Sequence, residues 1–331
     1  MSTAGLASAL QHFFTKRLLD QLGASPHTVA SYRDTFRLLL RFLSERFKRE
    51  PSHIGLEELD APVLGEFLEH LEARRSNSIR TRNTRLSALR SFFRFVSMSE
   101  PALALNCQRV LAMPSKRWGR GPVEFLDEAE TDALIAATDL RTWAGRRDKA
   151  ILVTGVQTGL RNSEITSLRW EDVDLGTGAH VRCTGKGRKM RSTPLRRDVS
   201  AVLKGWRSEQ GDKMDEFVFP SSRGGRMSAD ALQRLVVNYA ARAARTCPSL
   251  TTKKVTPHTL RHTAAMSLLR HGVDLSVIAL WLGHESVETT QIYLHADMEL
   301  KEKALARTKA SAARPRRFRP PDPLLAFLES L

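Results

Sequence analysis

Helix-period apolar stripes constrain this chain most. Residues 25–47 read SPHTVASYRDTFRLLLRFLSERF. Ser25 can cap, Pro26 suits a first helical position where an amide hydrogen is not needed, and Val29, Tyr32, Phe36, Leu39 and Leu43 recur on one helical face. Arg33, Arg37 and Arg41 line another face. A short acidic helix is predicted over 61–74 and a third from Ser78 to Met98, with Leu86, Leu89, Phe93 and Val96 as its core stripe. This pattern predicts an all-helical domain over about 8–112.

The segment MPSKRWGRGP, 113–122, holds two prolines, two glycines and cations, and reads as a flexible basic linker. A second domain then opens near 123 with FLDEAETDALIAA, where Asp127 and Glu130 have capping-box spacing. Helix is expected from there to Thr158, with Gly159 as its stop. Residues 179–195, AHVRCTGKGRKMRSTPL, break the helical period: a strand, a Gly-Lys-Gly turn and a second strand are expected. Helices return afterwards, up to about 305, and 306–331 reads as a C-terminal tail. The expected class is therefore mainly α with a small β-hairpin or sheet, α+β.

A formal charge of +16 points to a polyanionic partner, because Lys and Arg gain by displacing counterions from phosphates. The excess is not a detachable tail, since residues 1–120 carry 19 cationic against 11 acidic side chains and 121–331 carry 33 against 25. In the third helix Arg80, Asn83, Thr84, Ser87, Arg90 and Arg94 form a polar strip with no acid between Arg80 and Arg94, the pattern of a phosphate-contacting face as well as of a solvated one. Cys107, Cys183 and Cys247 are few, odd in number and widely spaced, against both a disulfide framework and a zinc site. No run of eighteen apolar residues and no export signal is present, so a cytoplasmic, nucleoid-associated protein is expected, with no membrane partner.

Four stretches place reactive side chains at loops and helix starts. TGLRNSEI sets Arg161 just past the Gly159 stop with Glu164 three residues on; TGKGRK sets Lys186 at a hairpin tip; TPHTLRHTAA opens a helix with His258, Arg261 and His262; LGHESVETTQIY sets His284 after a glycine and Tyr293 nine residues later. Singly, each has an ordinary explanation as a helix-end cation, a turn lysine, a cap or a core tyrosine. Together they can transfer a phosphoryl group without a metal or cofactor. Two guanidiniums, Arg161 and Arg261, can clamp the non-bridging oxygens where charge gathers. Tyr293 is the candidate nucleophile, His258 the candidate base, His284 a further phosphate donor, and Lys186 a general acid for a poor alkoxide leaving group.

These motifs, in this order, closely resemble the tyrosine recombinases, also called the phage integrase family. The resemblance covers 123 to about 305 as the catalytic domain and about 8–110 as the helical, SAM-like core-binding domain, to which TRLSALRSFFRF adds; it favours the two-domain type. It implies a 3′-phosphotyrosine at Tyr293, a freed 5′-hydroxyl and no need for ATP. It further implies a clamp around double-stranded DNA, four protomers on two synapsed sites, a supporting role for His262, and a tail that docks on a neighbouring protomer. Site-specific integration, excision or resolution is the function expected, acting alone or with partner recombinases. A type IB topoisomerase-like enzyme or a catalytically silent DNA-binding protein are the alternatives.

Overall fold

The computed structural model describes residues 5–119, 123–185, 190–211, 216–284 and 286–296, and the chain divides into two units, 1–120 and 121–331. In the first, α1 (Leu6–His12) runs directly into a wider, π-helical stretch, Phe13–Gln21. Capping side chains then start the predicted helices. Ser25 accepts the Thr28 amide at 3.2 Å to open α2 (Pro26–Phe47), Asp60 accepts Val63 at 2.9 Å to open α3 (Ala61–Arg75), and Ser78 accepts Thr81 at 3.2 Å to open α4 (Ile79–Ser99). A short helix, α5 (Ala104–Ala112), follows.

Phe36, Leu39, Leu43, Leu86, Leu89, Phe93 and Val96 are all buried, as their spacing predicts. The sequence pattern announces neither α1 nor the π-helical stretch after it, yet Phe13 of that stretch lies at the centre of this core, with ring centroids 6.1 Å from Phe36 and 5.4 Å from Phe92. Offset and edge-to-face rings at such separations add to what their buried area contributes.

In the second unit the Asp127–Glu130 capping box forms, each side chain accepting the other's amide at 2.8 and 2.9 Å, and opens α6 (Glu128–Ala136). The helix expected to continue to Thr158 is instead two. Thr142 donates to the Asp139 carbonyl and accepts the Gly145 amide, both at 3.0 Å, and starts α7 (Trp143–Thr158) afresh. The turn depends on Gly145, where a Cβ would stand 1.9 Å from the Asp139 carbonyl oxygen. Gly159 ends α7 in the left-handed region, φ 64°, and α8 (Asn162–Ser167) follows.

Three antiparallel strands, β1 (Val173–Asp174), β2 (His180–Thr184) and β3 (Met190–Pro194), lie in chain order, with Cys183 opposite Arg191 and Thr184 opposite Met190. The predicted hairpin is β2–β3; β1 is too short to announce itself in sequence. Next come α9 (Arg197–Gln210), α10 (Ala229–Ala243), α11 (Pro257–Arg270), α12 (Leu275–Leu282) and α13 (Ile292–Ala296). The chain is thus mostly helical with one small sheet, the class expected. Helices α7 and α11 approach closely at Gly155, where an added Cβ would meet Leu260 Cδ1 at 3.2 Å. The three cysteines are free. Among the described residues no helix is long and apolar enough to cross a membrane. The helix expected after Tyr293 and the tail from 306 lie outside the described residues, as does Lys186.

Candidate active site

Three chain reversals converge. Arg161 caps α8 just after the left-handed Gly159; His258, Arg261 and His262 stand on the first turns of α11, opened by the Thr256–Thr259 capping pair and Pro257; and the C-terminal turn of α12 ends in the left-handed Gly283, φ 63°, just before His284. Hydrogen bonds lock them together. Arg261 donates from Nη1 to the Gly159 carbonyl and from Nη2 to the Leu282 carbonyl, both at 2.7 Å, and Arg161 Nη2 donates to the Gly283 carbonyl at 2.9 Å. The two guanidiniums therefore stand on one shared floor of main-chain carbonyls.

Arg261 is buried, and burial together with the Arg161 charge brings its pKa down to about 10, still protonated at neutral pH. Arg161 is more open, its side chain 27% exposed. Its Nη1 donates to Glu164 Oε1 at 3.0 Å and its amide to Oε2 at 2.7 Å, the contact that the three-residue spacing predicts.

Tyr293 closes the site from α13 and is only 1% exposed. Its hydroxyl is hydrogen-bonded to His262 Nδ1 at 3.0 Å, and its ring lies parallel to that of His284 with centroids 6.5 Å apart. Burial pushes the phenol up to about 12, against the opposing pull of the Arg261 charge. His284 bonds through Nδ1 to Thr290 at 2.8 Å. Burial, then neighbouring positive charge, lowers both His262 and His284 to about 4, so both imidazoles are neutral at pH 7. In this arrangement His262 is the histidine bonded to the phenol, and His258 stacks on His262 with centroids 5.8 Å apart.

Sequence reasoning missed Arg191. From β3 it reaches both oxygens of Glu164, at 2.9 and 2.6 Å. Burial pushes the Glu164 carboxyl up, but the hydrogen bonds and charges of Arg191 and Arg161 outweigh it and hold the group below its ordinary range. Strand alternation puts Arg191 in phase with Thr193, but that this face is buried, with Cys183 opposite Arg191, is seen only in the structure. A cation on an inward-facing position demands a carboxylate beneath it.

The polar strip of α4 divides in two. Arg80, Thr84, Ser87 and Arg94 are exposed, with the Thr84 and Ser87 hydroxyls returned to carbonyls of their own helix at 3.0 Å. Asn83 and Arg90 instead hold the segment expected to be a flexible linker. Asn83 donates to the Lys116 carbonyl at 2.8 Å and accepts its amide at 3.1 Å, Arg90 reaches Met113 and Ser115, and Arg80 stands over the Trp118 ring. Through residue 118 the linker is fastened to α4, because its open carbonyls find donors in that arginine-rich face.

Two arginines, two neutral imidazoles and a buried tyrosine are thus gathered at one place in the second unit. Residues 124–299 match the phage integrase family model, and residues 10–98 match the phage integrase N-terminal SAM-like domain. The chain belongs to the phage integrase family, the tyrosine recombinases, and is a DNA strand-transfer enzyme. It is 52% identical over 328 residues to y4rC of Sinorhizobium fredii, provisionally named an integrase/recombinase, with 99% of each chain covered. It is 32% identical over 298 residues to tyrosine recombinase XerD of Pseudomonas putida, covering 87% of this chain and 94% of that one. Its fold matches that of the Tn1549 transposon integrase solved with transposon right end DNA, at TM-score 0.67 and 16% identity, covering 90% of this chain and 98% of the other.

Proposed function

We propose that this recombinase exchanges DNA strands through Tyr293, with Arg161 and Arg261 holding the scissile phosphate. The observation that carries the assignment is the convergence of both arginines, His262 and His284 on the elements that surround the Tyr293 phenol. The phenol is 1% exposed and bonded to His262, so in this reading the buried position is a resting one. For attack, Tyr293 turns from His262 toward the phosphate, gives its proton to His258, and its oxygen bonds to phosphorus as the 5′-oxygen leaves. Lys186 supplies the proton that this oxygen needs. One phosphodiester is exchanged for a phosphotyrosine, so the bond is conserved, and a 5′-hydroxyl from the partner duplex reverses the step. His284 adds a hydrogen bond to the phosphate.

The exposed Arg80, Thr84, Ser87 and Arg94 face the DNA backbone in this reading, while Asn83 and Arg90 set the path of the linker along the same face. A homotetramer on two synapsed sites, with or without a partner recombinase, completes the reaction at the nucleoid. Replacement of Tyr293 by Phe tests the central assignment: target DNA is bound as before, but no protein-linked strand appears on a denaturing gel after incubation with a nicked duplex. An adduct of undiminished yield would falsify the nucleophile.

A further inference from the structure

Glu164 is shared by two arginines in unequal ways. Arg191 meets it as a two-point fork, Nη1 to Oε1 at 2.9 Å and Nη2 to Oε2 at 2.6 Å, with the two side chains 9% and 5% exposed. Arg161 offers the same carboxylate only Nη1 and its main-chain amide, and keeps an open edge toward solvent. One buried carboxylate between two guanidiniums leaves one net positive charge, and Arg161 is the more exposed of the two cations.

The Nε of Arg191 is buried without a partner among the described residues, so its hydrogen bonding is concentrated in the fork at the other end. It also lies under the α12 turn, where a Cβ on Gly283 would stand 2.9 Å from its Nη1 and 3.1 Å from its Cδ. The Gly283 carbonyl is the one that Arg161 Nη2 grips, and His284 is the next residue. Arg191 thus touches the supports of two of the groups assigned to the phosphate.

We propose that Arg191 is a positioning residue for strand cleavage: by occupying both oxygens of Glu164 it prevents that carboxylate from drawing the Arg161 guanidinium into a two-point pair and off the scissile phosphate. A buried carboxylate left with a single cationic partner takes as many of its donors as geometry allows. The inference rests on the reading of Arg161 as a phosphate clamp, and its test separates the two.

Four full-length variants, Arg191→Met, Arg191→Lys, Arg161→Ala and the double Arg161→Ala/Arg191→Met, are assayed for covalent adduct formation at saturating protein. The nicked target duplex carries either an ordinary phosphodiester or an uncharged methylphosphonate at the scissile position. Arg191→Met is expected to bind the duplex as the parent does and to form adduct roughly 100-fold more slowly on the phosphodiester, the effect of a misplaced reacting group. On the methylphosphonate, where there is no phosphate charge for Arg161 to meet, the deficit shrinks to about threefold or less, and the double variant is no slower than Arg161→Ala by more than about threefold. Arg191→Lys, with charge but no fork, loses an intermediate amount. If Arg191→Met does not fold, as judged by its melting transition and DNA binding, the lysine variant carries the same comparison of substrates.

Equal loss on both substrates, or full additivity with Arg161→Ala, overturns the positioning role, as does an undiminished rate. Should Arg161→Ala itself lose equally on both substrates, the phosphate-clamp reading fails; should it be selective while the Arg191 variants are not, only the present proposal fails.

Discussion

Gly159 joins fold to chemistry, and Gly159→Ala measures both. At φ 64° an alanine pays the left-handed penalty, about 1–2 kcal/mol. Its Cβ would also come to 2.7 Å from Leu282 Cδ2 and 3.2 Å from Ala264 Cβ, and neither neighbour has room to give, since Leu282 is fully buried and Ala264 is 2% exposed. Overpacking of this kind adds about 1–3 kcal/mol. Gly178→Ala is the control: its φ is 74° but nothing lies within 4 Å of the added carbon, so only the left-handed term applies. Chemical denaturation of the full chain, followed by circular dichroism, should therefore place Gly159→Ala about 1–3 kcal/mol below Gly178→Ala. The two should also differ in catalysis. The Gly159 carbonyl holds Arg261 Nη1 at 2.7 Å, so displacement of this turn moves a guanidinium assigned to the phosphate, whereas Gly178 touches none of the site. Adduct formation on a nicked duplex should fall markedly in Gly159→Ala and remain at the parent rate in Gly178→Ala. Equal stabilities and equal cleavage rates for the two variants would refute the packing argument and the role given to the α7–α8 turn.

Three further outcomes follow from the same chemistry. Lys186→Ala should slow cleavage of ordinary DNA far more than of DNA with a 5′-bridging phosphorothiolate, because a thiolate leaves without a proton; equal losses would make Lys186 a phosphate-positioning group. His262 and His284 have folded pKa values lowered to about 4 from an ordinary 6.5, so the unfolded chain binds the extra protons: the stability they contribute is complete above about pH 6.5 and is lost as pH falls toward 4. Melting temperatures should decline across that window and decline less in His262→Gln, while Glu164, held below its ordinary 4.5, adds its loss only at lower pH; a flat profile from pH 7 to 5 would contradict the burial of these imidazoles. Deletion of 314–331 should leave single-site binding intact while weakening cooperative filling of a two-site target and slowing recombination, as read by gel shift and product yield; unchanged cooperativity and rate would leave the tail without a part in assembly.

Local chemistry was legible in the chain itself. Capping residues located the starts of α2 and α6, because a helix start depends on a hydroxyl or carboxylate reaching an amide three residues away, and apolar spacing located the core face of α4. Gly159 and Gly283 marked the stops beside which Arg161 and His284 stand, and the Arg161–Glu164 contact followed from spacing alone. The motifs that suggest phosphoryl transfer are likewise local strings. Tertiary structure decided what those strings touch. Nothing within residues 190–194 says that Arg191 lies under Glu164, since that pair joins a strand to a helix start 27 residues earlier in the chain. Phe13 reaches the centre of the first core from a helix with no regular stripe, and Asn83 and Arg90 are bound to a linker that sequence reads as loose. The phenol of Tyr293 depends most of all on distant elements, for its burial and its bond to His262 come from chain that lies 31 residues away. Spacing determines which side chains share a face; only the meeting of faces determines which charges are compensated and which remain available for DNA.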